Sequence, residues 1–317
     1  MRTAFIKSLM ALAERDPRIW LLTGDLGYSV LEPFAVRFSD RYINVGVAEQ
    51  NMAGVAAGLA LSGKKVFTYS IANFAVTRCL EQIRNDICYH NADVTIVATG
   101  GGLAYGTQGY THHGIEDIGF TRLLPNISVI VPADGYEAEW AMGAIAGRSG
   151  PSYLRLGRGG EAAVHANPLD LALFGRAIML RAAGDVAILS TGNILGEAVV
   201  AADRLTAEGI KTGVCSIPVI QPIDAEMIIA LAQQCSLLVT VEEHVTSGGL
   251  GGAVAEILSG LEAPRARLER AGVVHGLSPN AGSHSYLRQL HRLDADGLVE
   301  RIHKNINLSV KRSSRAK

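Results

Sequence analysis

The chain has 317 residues, enough for two domains of ordinary size with separate cores. Its hydrophobic share of 48%, its 35 glycines and its net charge of -1 exclude a disordered chain and a nucleic-acid surface built on excess positive charge, which leaves small-molecule chemistry as the default. The four cysteines, Cys79, Cys88, Cys215 and Cys235, form no CxxC pair and no Cys/His ligand spacing, so reduced thiols in the cytoplasm are expected, and no cysteine-held metal.

In chain order, "MRTAFIKSLMALAERDPRIW" predicts an amphipathic helix rather than a signal peptide, because Lys7, Glu14, Arg15 and Asp16 interrupt its apolar positions. Strand-like and helical runs then alternate. The strand "IWLLTG" precedes a helix opening at Glu49 in "NVGVAEQNMAGVAAGLALSGKKVF"; "KKVFTYS", the helix "TRCLEQIRNDICYH", "DVTIVATG", "ISVIVPAD", the helix "GYEAEWAMGAIAG" and "PSYLRLG" follow. Strands spaced by helices predict a mostly parallel sheet covered on both faces, over residues 1–160. Residues 161–184, with Pro168 and a loose Ala/Leu composition, read as a linker. A second series over 185–310 runs through "DVAILSTG", "GEAVVAADRLTAEG", "KTGVCSIPVIQPID", "AEMIIALAQQ", "SLLVTVEEH" and "GGLGGAVAEILSG". The fold class is therefore α/β, with two domains that each carry a mostly parallel, helix-covered sheet. Residues 311–317, the end of "VKRSSRAK", read as a frayed basic tail. No segment is long and apolar enough to span a membrane, and no solenoid repeat is visible.

Ligands of parallel α/β sheets bind beyond the carboxyl ends of strands. "TGDLGYS" offers Asp25, Leu26 and Ser29 there, and "ATGGGLAYGTQGYTHHGIED" forms a long Gly-rich loop with His112 and His113, of a length that usually serves function. From the residues alone, His112 reads equally as a hydrogen-bonded loop histidine, and Glu49 as a first-turn acid that helps the helix dipole. "SGGLGGAVAE" has the glycines of a dinucleotide turn, but the intervening "EEHVTSG" breaks the tight strand-to-helix geometry such a turn needs.

Five separated segments, "YINVGVAEQNMAGVAAGLALSG", "YSIANFAVTRCLEQIRND", "YGTQGYTHHGIEDIGFTRLLPNISVIVPADGYEAE", "GPSYLRLGRG" and "VEEHVTSGGLGGAVAE", resemble in order and spacing the C-terminal half of transketolases. The resemblance covers nearly the whole chain and implies a pyrimidine-binding domain of a thiamine diphosphate enzyme followed by the transketolase C-terminal domain. It implies that Glu49 binds the ring nitrogen of the aminopyrimidine and favours the imino tautomer that takes the proton from the thiazolium carbon, a role suited to a carboxylate at an apolar helix start. Glu49 and His112 are thus the expected catalytic residues. Asp25 and Leu26 match the segment beside the thiazolium, and Phe74 the aromatic that stacks on the aminopyrimidine. Counting back from Arg78, the family's aromatic falls at Ala75, so "SIANF" must absorb a shift of one residue. His112 matches the histidine that contacts sugar hydroxyls, and Arg158 an arginine for substrate phosphate, which Arg2 and Ser29 join by their distance from Asp25.

The chain departs from the family in three places. Gln108 replaces the acid of the family's "GxDGPTH" loop, so substrate specificity is expected to differ. "VATGGGLAYG" has glycines where relatives carry a histidine or an arginine for phosphate. The GDG motif with its downstream Asn, which holds Mg²⁺ and the diphosphate, is missing. The resemblance therefore implies the C-terminal subunit of a split transketolase, with the Mg²⁺ ligands on a separate N-terminal subunit and the cofactor at the shared interface. The helix "TRCLEQIRNDICYH" is suited to a two-fold contact, giving a two-plus-two hetero-oligomer. Its substrate would be a sugar or sugar phosphate, with neither nucleic acid nor membrane as partner. The alternatives are a deoxyxylulose-phosphate synthase-like or 2-oxoacid dehydrogenase beta-type subunit, and a non-catalytic regulatory partner.

Overall fold

A computed structural model describes residues 1–263, 265–275 and 280–315, with side chains to Ile306. Its strands are β1 (Ile19–Thr23), β2 (Tyr42–Asn44), β3 (Lys65–Ile71), β4 (Val94–Thr99), β5 (Ser128–Ile130), β6 (Ser152–Leu156), β7 (Ile178–Arg181), β8 (Val186–Ser190), β9 (Thr212–Ser216), β10 (Val219–Gln221), β11 (Leu237–Val245) and β12 (Arg267–Val273). The helices are α1 (Arg2–Arg15), α2 (Glu32–Arg37), α3 (Glu49–Leu61), α4 (Ala72–Val76), α5 (Leu80–Gln82), α6 (Asp117–Arg122), α7 (Gly135–Ala146), α8 (Leu195–Ala207), α9 (Ala225–Gln234), α10 (Leu250–Ser259), α11 (His284–Leu290) and α12 (Ala295–Arg315).

The first sheet has the order β10-β5-β6-β4-β3-β1-β2 and the second β12-β11-β8-β9-β7. All neighbours run parallel except β10 with β5 and β7 with β9, both at sheet edges. Strands β4, β6 and β8 are buried at every residue, as central parallel strands covered on both faces must be. On one face of the first sheet, α1 places Phe5, Leu9 and Ala13 in a stripe at four-residue spacing, packed with Trp140 and Met142 of α7. The opposite face takes α3, whose buried Ala53, Ala56 and Ala57 allow close approach, and continues without a break into Leu189, Ile217 and Leu250 of the second unit. A further cluster beneath the second sheet holds Leu195, Ala198 and Leu205 of α8 against Leu298 and Ile302 of α12.

Four segments differ from their sequence patterns. "TRCLEQIRNDICYH" is not one α-helix: after the short turn Thr77–Cys79 and α5, residues Ile83–Cys88 form a π-helical stretch in which Tyr89 N–H reaches the Arg84 carbonyl (3.0 Å). The wider turn brings Ile83, Ile87 and the adjacent Cys88 inward together, which a regular helix would not. "KTGVCSIPVIQPID" breaks at Pro218, and its second half, β10, leaves the second unit to pair with β5. The presumed linker contains β7, anchored where Ala177 N–H donates to Asp224 (2.9 Å). The presumed tail continues α12 to Arg315, as its Lys and Arg content permits, while Ala316 and Lys317 lie outside the described residues. Among the described residues no helix is long and apolar enough to cross a membrane.

Candidate active site

Glu49 opens α3, where Ala48 supplies no side-chain cap. A carboxylate serving only the helix dipole would stand in water, but Glu49 is 1% exposed. Its Oε2 accepts a hydrogen bond from Arg78 Nη1 (2.6 Å), and its Oε1 a long one from Ser70 Oγ (3.4 Å) at the end of β3. Gly24, just beyond β1, lies so close that a Cβ there would be 3.4 Å from Glu49 Cγ. The acid therefore sits beyond the carboxyl ends of β1 and β3, the usual ligand position of a parallel sheet.

From Glu49 a continuous set of contacts runs outward. Arg78, 44% exposed, stacks its guanidinium over Phe74, 4.7 Å from the ring centroid. Phe74 meets His112 edge-on with centroids 5.2 Å apart, His112 lies 6.4 Å from the Tyr105 ring, and Arg158 stands over that ring at 5.4 Å. Asn73, Phe74, Thr77, Arg78, Tyr110 and Thr111 line one open groove. Asn73 Nδ2 donates to the Thr111 carbonyl (2.9 Å), tying α4 to the histidine loop. Phe74 faces this groove while Ala75 is buried.

The remaining expected residues surround this line. Asp25 has a left-handed backbone (φ 57°); its N–H donates to Asn44 Oδ1 (3.0 Å), and its own Oδ1 accepts from Asn44 Nδ2 and Tyr28. Asp25 and Leu26 line a small pocket with Tyr28 and Tyr42. Ser29 N–H donates to Glu32 within its own turn, and among the described residues it is not part of the groove lining. The Arg2 guanidinium adjoins Gly159, one residue from Arg158. Gln108 is exposed four residues before His112. Gly100 has a left-handed φ of 70°, and a Cβ there would run into the Tyr105 ring, so the glycine makes room for Tyr105.

Sequence reasoning missed the groups that hold the loop. Arg155, buried on β6, donates through Nε to Asp117 (2.7 Å) and through Nη2 to the carbonyls of Gly114 and Glu243 (2.9 Å for the latter). Tyr153 donates a short hydrogen bond to the same Asp117 carboxylate. Glu243 accepts from Leu103 N–H (3.1 Å), His284 and Arg288, and although burial alone would push its carboxyl up, Arg288 and His284 hold it well below the usual range. Glu242 receives the N–H groups of Leu250 and Gly251 (2.7 Å each) at the start of α10, and burial pushes its carboxyl up. Gly119 N–H donates to His244 Nε2, so within the "EEH" run Glu243 and His244 tie the two units together while Glu242 caps α10 inside the second. A lone arginine inside the apolar run "SYLRLG" was the available signal.

Comparison with known proteins fits this geometry. Residues 1–160 match the family model "Transketolase, pyrimidine binding domain" and residues 175–298 "Transketolase, C-terminal domain". An apulose-4-phosphate transketolase subunit of Actinobacillus succinogenes is 36% identical over 270 residues, covering 85% of this chain and 86% of that protein. The 6-deoxy-6-sulfo-D-fructose transketolase subunit SqwH of Clostridium sp. is 35% identical over 304 residues, covering 96% and 93%. A 1-deoxy-D-xylulose-5-phosphate synthase of Heliobacterium modesticaldum is 34% identical over 297 residues, covering 93% of this chain but 45% of that protein. A solved structure described as a split gene transketolase, inactive beta4 tetramer, superposes with a TM-score of 0.84 at 38% identity, covering 96% of each chain. Fold and family matches together define the C-terminal half of a thiamine-dependent transferase. The chain belongs to the transketolase family and matches the C-terminal subunits of split transketolases over nearly its whole length. It is one component of an enzyme that moves a two-carbon ketol unit between sugars.

Proposed function

We propose that this chain contributes the aminopyrimidine and sugar side of a thiamine diphosphate site, completed by a companion subunit that carries Mg²⁺ and the diphosphate. The observation that carries the reading is the unbroken arrangement Glu49, Arg78, Phe74 and His112 at the start of α3. The residues fit the cofactor, because among the described residues Oε1 of the buried Glu49 has one long hydrogen bond and so retains accepting capacity beside an aromatic ring on an open groove. When bound, thiamine diphosphate supplies a nucleophilic carbon and an electron sink for carbon–carbon cleavage. Glu49 would hold the ring nitrogen and its proton, Phe74 would orient the ring by stacking, and Asp25 and Leu26 would hold the thiazolium end. Thr111 Oγ1 lies 3.0 Å from His112 Nδ1, which leaves Nε2 for a sugar hydroxyl. Arg158 and Arg2 serve an anionic end of the substrate, a role the resemblance also implies for Ser29.

The assembly is a two-plus-two hetero-oligomer in the cytoplasm; the four free, buried cysteines, with burial pushing Cys79, Cys88 and Cys215 up to about 12, suit a reducing compartment. With thiamine diphosphate and Mg²⁺, the chain alone is expected to give no ketol transfer, and the chain joined to a companion bearing GDG and its downstream Asn to turn over ketoses. Pyruvate turnover in place of ketoses would instead favour the synthase or dehydrogenase alternative, and cofactor binding without turnover a regulatory role.

Gln108 sets the choice of sugar. A side chain that both donates and accepts replaces an acid that only accepts, so it suits a different substrate group. Gln108→Asp is expected to shift the ratio of kcat/KM values between an ordinary ketose phosphate and the preferred donor by about 10-fold or more, since sites built to hydrogen-bond a group discriminate strongly. An unchanged ratio would take specificity away from this loop.

A further inference from the structure

Glu49 and Phe74, the two groups assigned to the aminopyrimidine, are both engaged by one side chain of this chain itself. Arg78 donates to Glu49 Oε2 at 2.6 Å and lays its guanidinium over Phe74 at 4.7 Å. We propose that Arg78 is a latch that competes with the cofactor's aminopyrimidine for these two groups and has to release them when the ring enters. The inference rests on the assignment of Glu49 and Phe74 to that ring.

The chemistry of the guanidinium suits the role. It is planar and delocalised, carries N–H donors in its plane and stacks on aromatic faces, so it offers Glu49 and Phe74 the same two interactions that a protonated aminopyrimidine offers. The pair is also asymmetric. Glu49 is 1% exposed and fixed at the first turn of α3, whereas Arg78 is 44% exposed and stands on the short turn between α4 and α5. Opening the contact therefore moves only Arg78, outward into water.

The buried carboxylate cannot be left without a donor: Ser70 offers it one long hydrogen bond, and no other cation pairs with it among the described residues. Release of Arg78 is thus coupled to arrival of a replacement donor. A site whose binding-competent arrangement has to be opened first shows a weakened affinity, by the fraction of molecules that are open, and loss of the latch removes that penalty.

The test is titration calorimetry of thiamine diphosphate, at saturating Mg²⁺, into the two-chain complex with wild-type or Arg78→Met chain. The variant is expected to bind about 10-fold more tightly, a change readily resolved in such a titration. In parallel, the thermal midpoint of the full chain without cofactor should fall in Arg78→Met and recover in the double variant with Glu49→Gln, because the second change removes the unpaired charge. Should Arg78→Met fail to fold, Arg78→Lys, which keeps the charge but gives up the planar stack, carries the affinity test with the same sign. Weaker binding in the variant would make Arg78 a direct cofactor ligand, and unchanged binding with a lower midpoint a merely structural pair; either overturns the latch. A wild-type complex that binds no thiamine diphosphate overturns the cofactor assignment itself, and the latch with it.

Discussion

In the reconstituted enzyme, Glu49→Gln is expected to retain thiamine diphosphate while hydrogen–deuterium exchange at the thiazolium carbon slows by about 10²- to 10⁴-fold, the range that positioned acid–base groups contribute. Each factor of ten corresponds to about 1.4 kcal/mol of barrier. The amide keeps the size of the side chain and one hydrogen bond but holds no negative charge for the ring nitrogen. A first-turn acid that merely balances the helix dipole gives a different result: its neutralisation costs about 0.3–1 kcal/mol of stability and leaves the exchange rate nearly intact. Burial of Glu49 beside Gly24, with its one strong bond coming from Arg78, is what separates the two cases. Arg78, half in solvent, can hydrate when the carboxylate is neutralised, so loss of the pair does not obscure the measurement. An exchange rate equal to that of the wild type removes Glu49 from the chemistry.

Arg155→Met should destabilise the chain by about 3–5 kcal/mol, because deleting one member of a buried ion pair leaves the other charge without compensation. Asp117, 2% exposed, would retain only the Tyr153 hydroxyl, and the Gly114 and Glu243 carbonyls would each lose a donor. Arg155→Lys is expected to recover part of the loss, since an ammonium cannot span the three acceptors that the guanidinium fork reaches. The double variant Arg155→Met with Asp117→Leu should be more stable than Arg155→Met alone. Urea unfolding of the four proteins gives the comparison, and a loss below about 1 kcal/mol in Arg155→Met would mean that the pair contributes no more than an exposed surface bridge. Gly114 lies two residues from His112, so the same substitution is expected to loosen the histidine loop and, with His112 proposed to contact the sugar, to raise KM for the sugar more than it lowers kcat.

Much of the fold follows from local pattern. The run "AEMIIALAQQ" coincides with α9, whose Asp224 cap accepts Met227 N–H, and the continuous apolar strands announce a sheet buried on both faces. Pattern fails where geometry depends on distant partners. The π-helical stretch Ile83–Cys88 has ordinary helical composition, and its extra residue per turn is set by the need to bury Ile87 and Cys88 together. Pairing of β10 with β5 joins residues far apart in the chain, which no periodicity encodes. The site divides in the same way. Quoted motifs locate Glu49, Phe74 and His112, whereas Arg78 lies 29 residues from Glu49 and Arg155 38 residues from Asp117. Arg78 looks in sequence like one more polar residue and Arg155 stands out only as a lone arginine in an apolar run; the meaning of each comes from the acid the fold brings to it.

Strand β10 makes the boundary between the two units something that cannot be cut. Its residues come after β8 and β9 of the second sheet, yet they close the open edge of the first, where Val131 N–H also donates to the Pro218 carbonyl (2.8 Å). A fragment ending near residue 160 would expose the backbone of β5 as a bare edge, an invitation to pair with another chain. The complementary fragment would carry a short ribbon with no sheet to join. Separating one unit from the other is therefore penalised at the level of backbone hydrogen bonds.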